Sequence, residues 1–341
     1  MSVETATTGP GPRGRPDVAS LVSGLLRSDA RSLARLISLV EDNAESLPLI
    51  AAALTPHSGR ARVVGVTGAP GVGKSTTTSA LVTLLRAQDR RVGVLAVDPS
   101  SPFSGGALLG DRVRMQEHAT DAGVFIRSMA TRGHLGGLAA ATPQAVRVLD
   151  AAGCTDVVVE TVGVGQSEVE VAALADTTVV IVAPGMGDAI QAAKAGILEV
   201  ADVFVVNKAD RDGADLTVRE LRAMVTHGRH EAAPGAEPAS WRQPIVKTVA
   251  SRGEGIGELL EALESHRTWL EGSGGIAVRR ARRHAAEVEA LAWQRLHSRW
   301  FDGARPTGEL ADLADAVALG RLDPYAAADE LLRRWRESAD G

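Results

Sequence analysis

A lysine and a hydroxyl close the glycine-rich run Gly68-Ala69-Pro70-Gly71-Val72-Gly73-Lys74-Ser75-Thr76, which fits the pattern GxxxxGK[ST]. In such a loop, converging backbone N–H groups and a helix N-terminus bind phosphate oxygens. Lys74 suits a bridge between β- and γ-phosphates, and the Ser75 hydroxyl suits Mg2+. The plain alternative is a glycine turn between strand and helix. A full match, directly after a β-branched run and before a helical one, weighs against it.

Further along, Asn207-Lys208-Ala209-Asp210 ends another apolar run and matches NKxD. A carboxylate at Asp210 would accept hydrogen bonds from guanine N1–H and the exocyclic amine, a donor pair that adenine lacks. A buried carboxylate left without donors is costly, so such a site discriminates strongly between bases. Four residues alone could be a strand-ending turn. Their place downstream of the phosphate loop makes the two motifs support each other and favours GTP over ATP. A third base contact is expected at Val249-Ala250-Ser251, with the Ala250 N–H donating to guanine O6.

Asp98, Asp111 and Glu160 each fall near the C-terminal edge of an expected strand. Ligands gather at that edge in open α/β sheets, and carboxylate oxygens suit Mg2+ there. Asp111 reads equally well as a helix cap. Glu160-Thr161-Val162-Gly163 stands where many nucleotide hydrolases have DxxG, which makes the Gly163 N–H a candidate sensor of the γ-phosphate. Gln166 lies three positions beyond Gly163, too far along to match a water-orienting glutamine next to it.

The elements that must position these residues show as short β-branched runs alternating with Ala/Leu-rich stretches. Strands are expected at Arg62–Thr67, Val92–Val97, Val124–Ser128, Val157–Glu160, Thr178–Ala183, Val203–Asn207 and Ile245–Val249. The pattern predicts an α/β fold with a mostly parallel central sheet flanked by helices. Residues 1–17 read as a disordered lead with no signal-peptide core. Residues 18–58 read as two or three short helices with caps at Ser28-Asp29 and Asp42-Asn43. Residues 59–272 form the expected nucleotide domain. Residues 273–341, beyond a glycine hinge at Gly272–Gly275, form a helical arm that includes Gly308–Leu319 and Pro324–Arg336. The apolar faces of the arm suit packing on the main domain or on a second copy. The basic cluster Arg279, Arg280, Arg282, Arg283 and His284 reads first as a solvated helix face, with recruitment of phosphate or an acidic partner as the alternative.

With 341 residues, 45% hydrophobic and 23% charged, the chain suits one principal domain with appendages. Its formal net charge of −5 disfavours nucleic acid as a partner. No apolar run approaches the ~20 residues that span a bilayer, so no membrane embedding is expected. The single cysteine, Cys154, excludes an internal disulfide and fits a cytoplasmic location.

Several longer strings carry a family resemblance. Asp98-Pro99-Ser100-Ser101-Pro102-Phe103-Ser104-Gly105-Gly106, Leu109-Gly110-Asp111, Glu160 to Glu168 and Pro184-Gly185-Met186-Gly187-Asp188, with Gln191 to Lys194, resemble the MeaB-type (ArgK-like) GTPases. These are G-protein chaperones of adenosylcobalamin-dependent methylmalonyl-CoA mutase. The resemblance covers nearly the whole chain. It implies a P-loop GTPase fold with helical extensions at both ends, GTP/GDP and Mg2+ as ligands, and hydrolysis of GTP to GDP and phosphate. It implies a metal set of Ser75, Asp98, Asp111 and Glu160, and catalytic roles for Lys74, Glu160 and Lys194. It also implies a third switch over Gly185–Lys194 facing an adenosylcobalamin-dependent acyl-CoA mutase; a homodimer through the helical arm is an expectation from the arm's apolar faces. Two departures are Val249, where serine is usual, and a Pro/Ala-rich insertion from Ala232 to Trp241.

Intrinsic turnover is expected to be slow, because the switch strings hold no evident arginine finger. Three other readings compete. A metal-delivery GTPase would need a ligand cluster, and His227 with His230 lack cysteine or acidic company. An ATP-using kinase linked to amino-acid transport is opposed by Asn207-Lys208-Ala209-Asp210. A scaffold that binds nucleotide without hydrolysing it is the third.

Overall fold

The computed structural model describes residues 17–42, 44–99, 115–131, 141–161, 167–185, 200–231, 241–303 and 309–339. Seven strands, β1 (Arg62–Thr67), β2 (Val92–Pro99), β3 (Val124–Thr131), β4 (Asp156–Thr161), β5 (Thr177–Val182), β6 (Val203–Asn207) and β7 (Ile245–Thr248), form one sheet. Their order is β3-β2-β4-β1-β5-β6-β7, and every neighbouring pair is parallel. Parallel neighbours need crossover connections, and the crossovers cover both faces of the sheet. That is why these strands read as Val-rich runs with no polar alternation at their centres: every residue of β1, β4 and β6 is buried.

The strands follow the expected pattern, with informative differences at their ends. β2 and β3 run past Val97 and Ser128 because Asp98 pairs with Ala130 and Pro99 with Thr131. Pro99 is tolerated there because β4 pairs with β2 only as far as Val97. β7 stops at Thr248 because Val249 leaves the ladder to form an isolated antiparallel bridge with Glu254.

The N-terminal helices are α1 (Val18–Leu26), α2 (Ala30–Glu41) and α3 (Leu47–Leu54). Asp29 caps α2 by accepting from the Ser32 N–H at 2.9 Å and the Ser32 hydroxyl at 2.6 Å. Asn43, expected in the next cap, lies outside the described residues. Leu25, Leu36, Ile37, Ile50 and Leu54 are fully buried in one core with Val63 of β1, Leu95 of β2, Val157 of β4 and Leu149 of α5 (Ala141–Ala151). Asp150 of α5 accepts the backbone N–H groups of Gly59, Arg60 and Ala61, which fixes where the chain turns into β1.

The remaining helices are α4 (Lys74–Ala87), α6 (Ser167–Leu174), α7 (Ala214–Glu231), α8 (Ile256–Gly272), α9 (Gly275–Gly303), α10 (Glu309–Ala318) and α11 (Pro324–Ala339). The stretch expected as a hinge is a short turn at Ser273-Gly274 between α8 and α9. The chain divides into two compact units between Ala281 and Arg282, within α9. In the second unit α10 and α11 pack together, with Leu313 and Ala327 buried. The lead to residue 16 and the insertion to residue 240 fall outside the described residues, as do the side chains of His227 and His230. Among the described residues no helix is long and apolar enough to cross a membrane.

Part of the basic cluster corrects the expectation of a solvated face. Arg279 grips Asp202 at 2.8 and 2.6 Å and also donates to the Asp176 carbonyl at 3.1 Å. Arg280 reaches the Asp176 carboxylate at 3.1 Å and the Gly59 carbonyl at 2.6 Å. The two acids directly precede β5 and β6; each already accepts a backbone N–H, Asp176 from Val63 at 3.1 Å and Asp202 from Thr178 at 2.8 Å, and each arginine meets both oxygens of its carboxylate in fork geometry. Behind them His266 is fully buried: its Nδ1 lies 2.9 Å from the Thr177 hydroxyl, and its ring stacks on Trp269. Trp241, at the end of the insertion, donates its indole N–H to the Asp202 carbonyl at 2.7 Å.

Candidate functional site

In a parallel sheet with this order, the C-terminal ends of β1, β4, β6 and β7 share one edge, and among the described residues the glycine-rich loop, Glu160, Asn207–Asp210 and Val249–Ser251 sit there. β1 leads into the phosphate loop and α4. Gly68 has φ of +143°, and a Cβ there would drive into the Ile181 carbonyl. Gly73, with φ of +96°, passes so close to the Asn207 amide that a side chain could not fit. These two positions explain why the loop needs glycine where it turns and where it meets the next motif.

Lys74 begins α4 and is only 7% exposed. Its ammonium donates to the carbonyls of Gly68 at 2.8 Å and Ala69 at 3.1 Å, which holds the charge over the loop. The Ser75 hydroxyl donates to Glu160 Oε1 at 2.6 Å. Glu160 is 2% exposed at the end of β4, in register with Val66 of β1 and Ala96 of β2. A buried carboxylate and a hydroxyl are therefore brought together at the first turn of α4. Thr161 ties the same edge to β1 through a 3.1 Å bond to the Thr67 hydroxyl.

Asn207 joins the phosphate loop to the second motif. Its Nδ2 donates to the Val72 carbonyl at 2.8 Å, and its Oδ1 accepts from the Thr248 hydroxyl and the Ala250 N–H, both at 3.1 Å. Lys208, with φ of +58°, extends its ammonium to the Gly71 carbonyl at 2.6 Å. The Ala209 N–H donates to the Thr248 carbonyl at 3.0 Å. Asp210 Oδ2 accepts from Arg252 Nη2 at 2.9 Å.

Sequence reasoning named Gly68 through Thr76, Glu160, Asn207, Lys208, Asp210 and Val249 through Ser251, and the fold brings these together. Asp98 is the next-to-last residue of β2, on the same edge; its side chain lies outside the described residues, as do Asp111, Gly163, Gln166 and Lys194. The Ala250 N–H, expected to meet guanine O6, is engaged by Asn207, so contact with the base would require sharing that bond. Thr248 and Arg252 were missed. Thr248 directly precedes the expected base-contact segment, and Arg252 is the first basic residue after it; those positions were the available signals.

Residues 33–305 match the profile of the family described as methylmalonyl-CoA mutase-associated GTPase MeaB. A provisionally named GTPase of Pyrococcus horikoshii is 45% identical over 317 residues, 93% of this chain and 98% of its own. The GTPase ArgK of Escherichia coli is 37% identical over 262 residues, 75% of this chain and 78% of its own. The mitochondrial methylmalonic aciduria type A homologue of Mus musculus is 34% identical over 273 residues, 80% of this chain and 65% of its own. Among solved structures, a LAO/AO transport system kinase aligns with a TM-score of 0.68 at 26% identity, covering 94% of this chain and 97% of that one.

Proposed function

Because the chain belongs to the MeaB family of methylmalonyl-CoA mutase-associated GTPases, and so binds guanine nucleotide and hydrolyses GTP, we propose that it is the G-protein chaperone of an adenosylcobalamin-dependent acyl-CoA mutase. In this reading its nucleotide state gates cofactor loading and protects the mutase, with methylmalonyl-CoA mutase the first client to test. The family match over residues 33–305 carries the reading, and the similarity to a methylmalonic aciduria type A homologue supports it. The reading includes a homodimer formed through the helical arm over residues 273–341 and a cytoplasmic location.

The roles of the site residues follow from their chemistry. The loop from Gly68 to Thr76 cradles the phosphates, and Lys74 neutralises charge developing on the transferred phosphoryl group. Asp210 reads the base, with Asn207 and Lys208 holding the reader against the phosphate loop and Val249 to Ser251 closing the far side. Ser75 and Glu160 fit Mg2+: a hydroxyl and a carboxylate oxygen, the hard donors this ion prefers, already meet at 2.6 Å. Asp98 and Asp111 complete the proposed set. When bound, the ion would offset negative charge on the β- and γ-phosphate oxygens. Gly163 and the segment Gly185–Lys194 respond to the γ-phosphate and pass its loss to the mutase.

The similar solved structure is named as a transport-system kinase, so an ATP-using role is the second reading. Comparing GTP with ATP as substrate separates the two. For the chaperone role, phosphate release is measured with and without methylmalonyl-CoA mutase. Stimulation by the mutase is expected, and equal rates would contradict partner gating.

A further inference from the structure

The carboxylate assigned to the base is engaged by a residue that no motif names. Arg252 Nη2 donates to Asp210 Oδ2 at 2.9 Å, while Arg252 Nη1 lies 3.6 Å from Glu254 Oε1. Arg252 and Glu254 share one tight loop: Ala250–Arg252 forms a 3-10 turn, Gly253 reverses the chain, and the Val249 N–H donates to the Glu254 carbonyl at 3.0 Å. Asn207 anchors this loop through the Ala250 N–H. The guanidinium is therefore tethered between two carboxylates, one on the base reader and one on its own loop. With Arg252 58% and Asp210 36% exposed, it can move from one to the other without repacking the core.

We propose that Arg252 tunes guanine-nucleotide affinity and base selection by competing with the base for Asp210, and that Glu254 receives the guanidinium when guanine takes its place. The inference rests on the assignment of Asp210 to the base. An arginine bonded to a carboxylate takes up lone pairs and charge that guanine N1–H and its amine require. Guanine offers two donors in exchange, and Glu254 lies close enough to take the displaced cation. Adenine offers no matching pair and leaves Asp210 with Arg252, so the pairing costs guanine and not adenine, and it narrows the difference in affinity between the two bases. Because an exposed ion pair is weak, the competition adjusts affinity by a small factor and does not block binding.

Calorimetry with GDP and ADP on the full chain tests this, using wild type, Arg252→Ala and Glu254→Gln. Xanthosine diphosphate is added for Asp210→Asn and Asp210→Asn/Arg252→Ala, because the Asn amide N–H suits the C2 carbonyl of xanthine. Arg252→Ala is expected to tighten GDP about two- to fivefold. Glu254→Gln should weaken GDP by a similar factor, and Arg252→Ala should leave xanthosine diphosphate binding unchanged in the Asp210→Asn background. Weaker or unchanged GDP binding by Arg252→Ala would overturn the proposal, as would an equal shift in the Asn background. If wild type bound ADP as tightly as GDP, the base assignment itself would fall.

Discussion

The side-chain amide of Asn207 donates to the Val72 carbonyl at 2.8 Å, which fastens the end of β6 to the phosphate loop after β1. The same side chain accepts from Thr248 and Ala250, so one residue holds three loops in fixed relation. The proposed base reader and the proposed phosphate loop are thereby fastened to each other by one side chain.

Replacing Asn207 with Ala should weaken GTP binding at least about tenfold and destabilise the fold by about 1–3 kcal/mol, since buried donors and acceptors lose their partner. Titration calorimetry and urea unfolding provide the two readouts. Unchanged GTP affinity would mean that the loops hold their geometry independently.

Lys74→Ala should lower GTP hydrolysis by at least about a hundredfold while the chain remains folded. The ammonium is positioned by two loop carbonyls, and its removal takes charge from the phosphates without opening the core. A phosphate-release assay beside a circular-dichroism melt checks both halves.

Arg279→Ala and Arg280→Ala should each destabilise the protein by about 1–3 kcal/mol, because Asp202 and Asp176 would stay nearly buried with fewer donors. The loss should be largely independent of bound nucleotide, since both acids precede their strands at the edge opposite the phosphate loop. Denaturant unfolding of the variants with and without GDP makes the comparison.

Burial pushes the His266 imidazole from 6.5 down to about 4, against the pull of the Asp202 carboxylate, which Arg279 already engages. The unfolded chain takes up this proton below about pH 6.5 and the folded chain only near pH 4. Stability from this group is therefore complete above that window and is lost as the pH falls through it, by up to roughly 3 kcal/mol. Urea unfolding at pH 7 and pH 4.5 should show a shallower acid loss for His266→Gln than for wild type, and equal losses would contradict the assignment.

The strand runs were legible because a sheet covered on both faces leaves no polar alternation to blur them: β1 and β6 have the bounds that their apolar runs predict. The loop after β1 was legible because its backbone geometry demands particular residues, as at Gly68 and Gly73. Arg279 and Arg280 were misread because a basic helix start looks the same in sequence whether it faces water or two acids more than seventy residues away. Arg252 was missed for a related reason: its partner Asp210 comes from a different strand end, and only the fold brings them within 2.9 Å.

The central claim is that this hydrolase reads guanine through Asp210. Its most direct test is the ratio of kcat/KM for GTP over ATP, measured by phosphate release for wild type and Asp210→Asn. A wild-type preference of at least about a thousandfold, largely lost in the variant, is the predicted result. Comparable rates with both nucleotides in wild type, or an unaltered preference in Asp210→Asn, would contradict it.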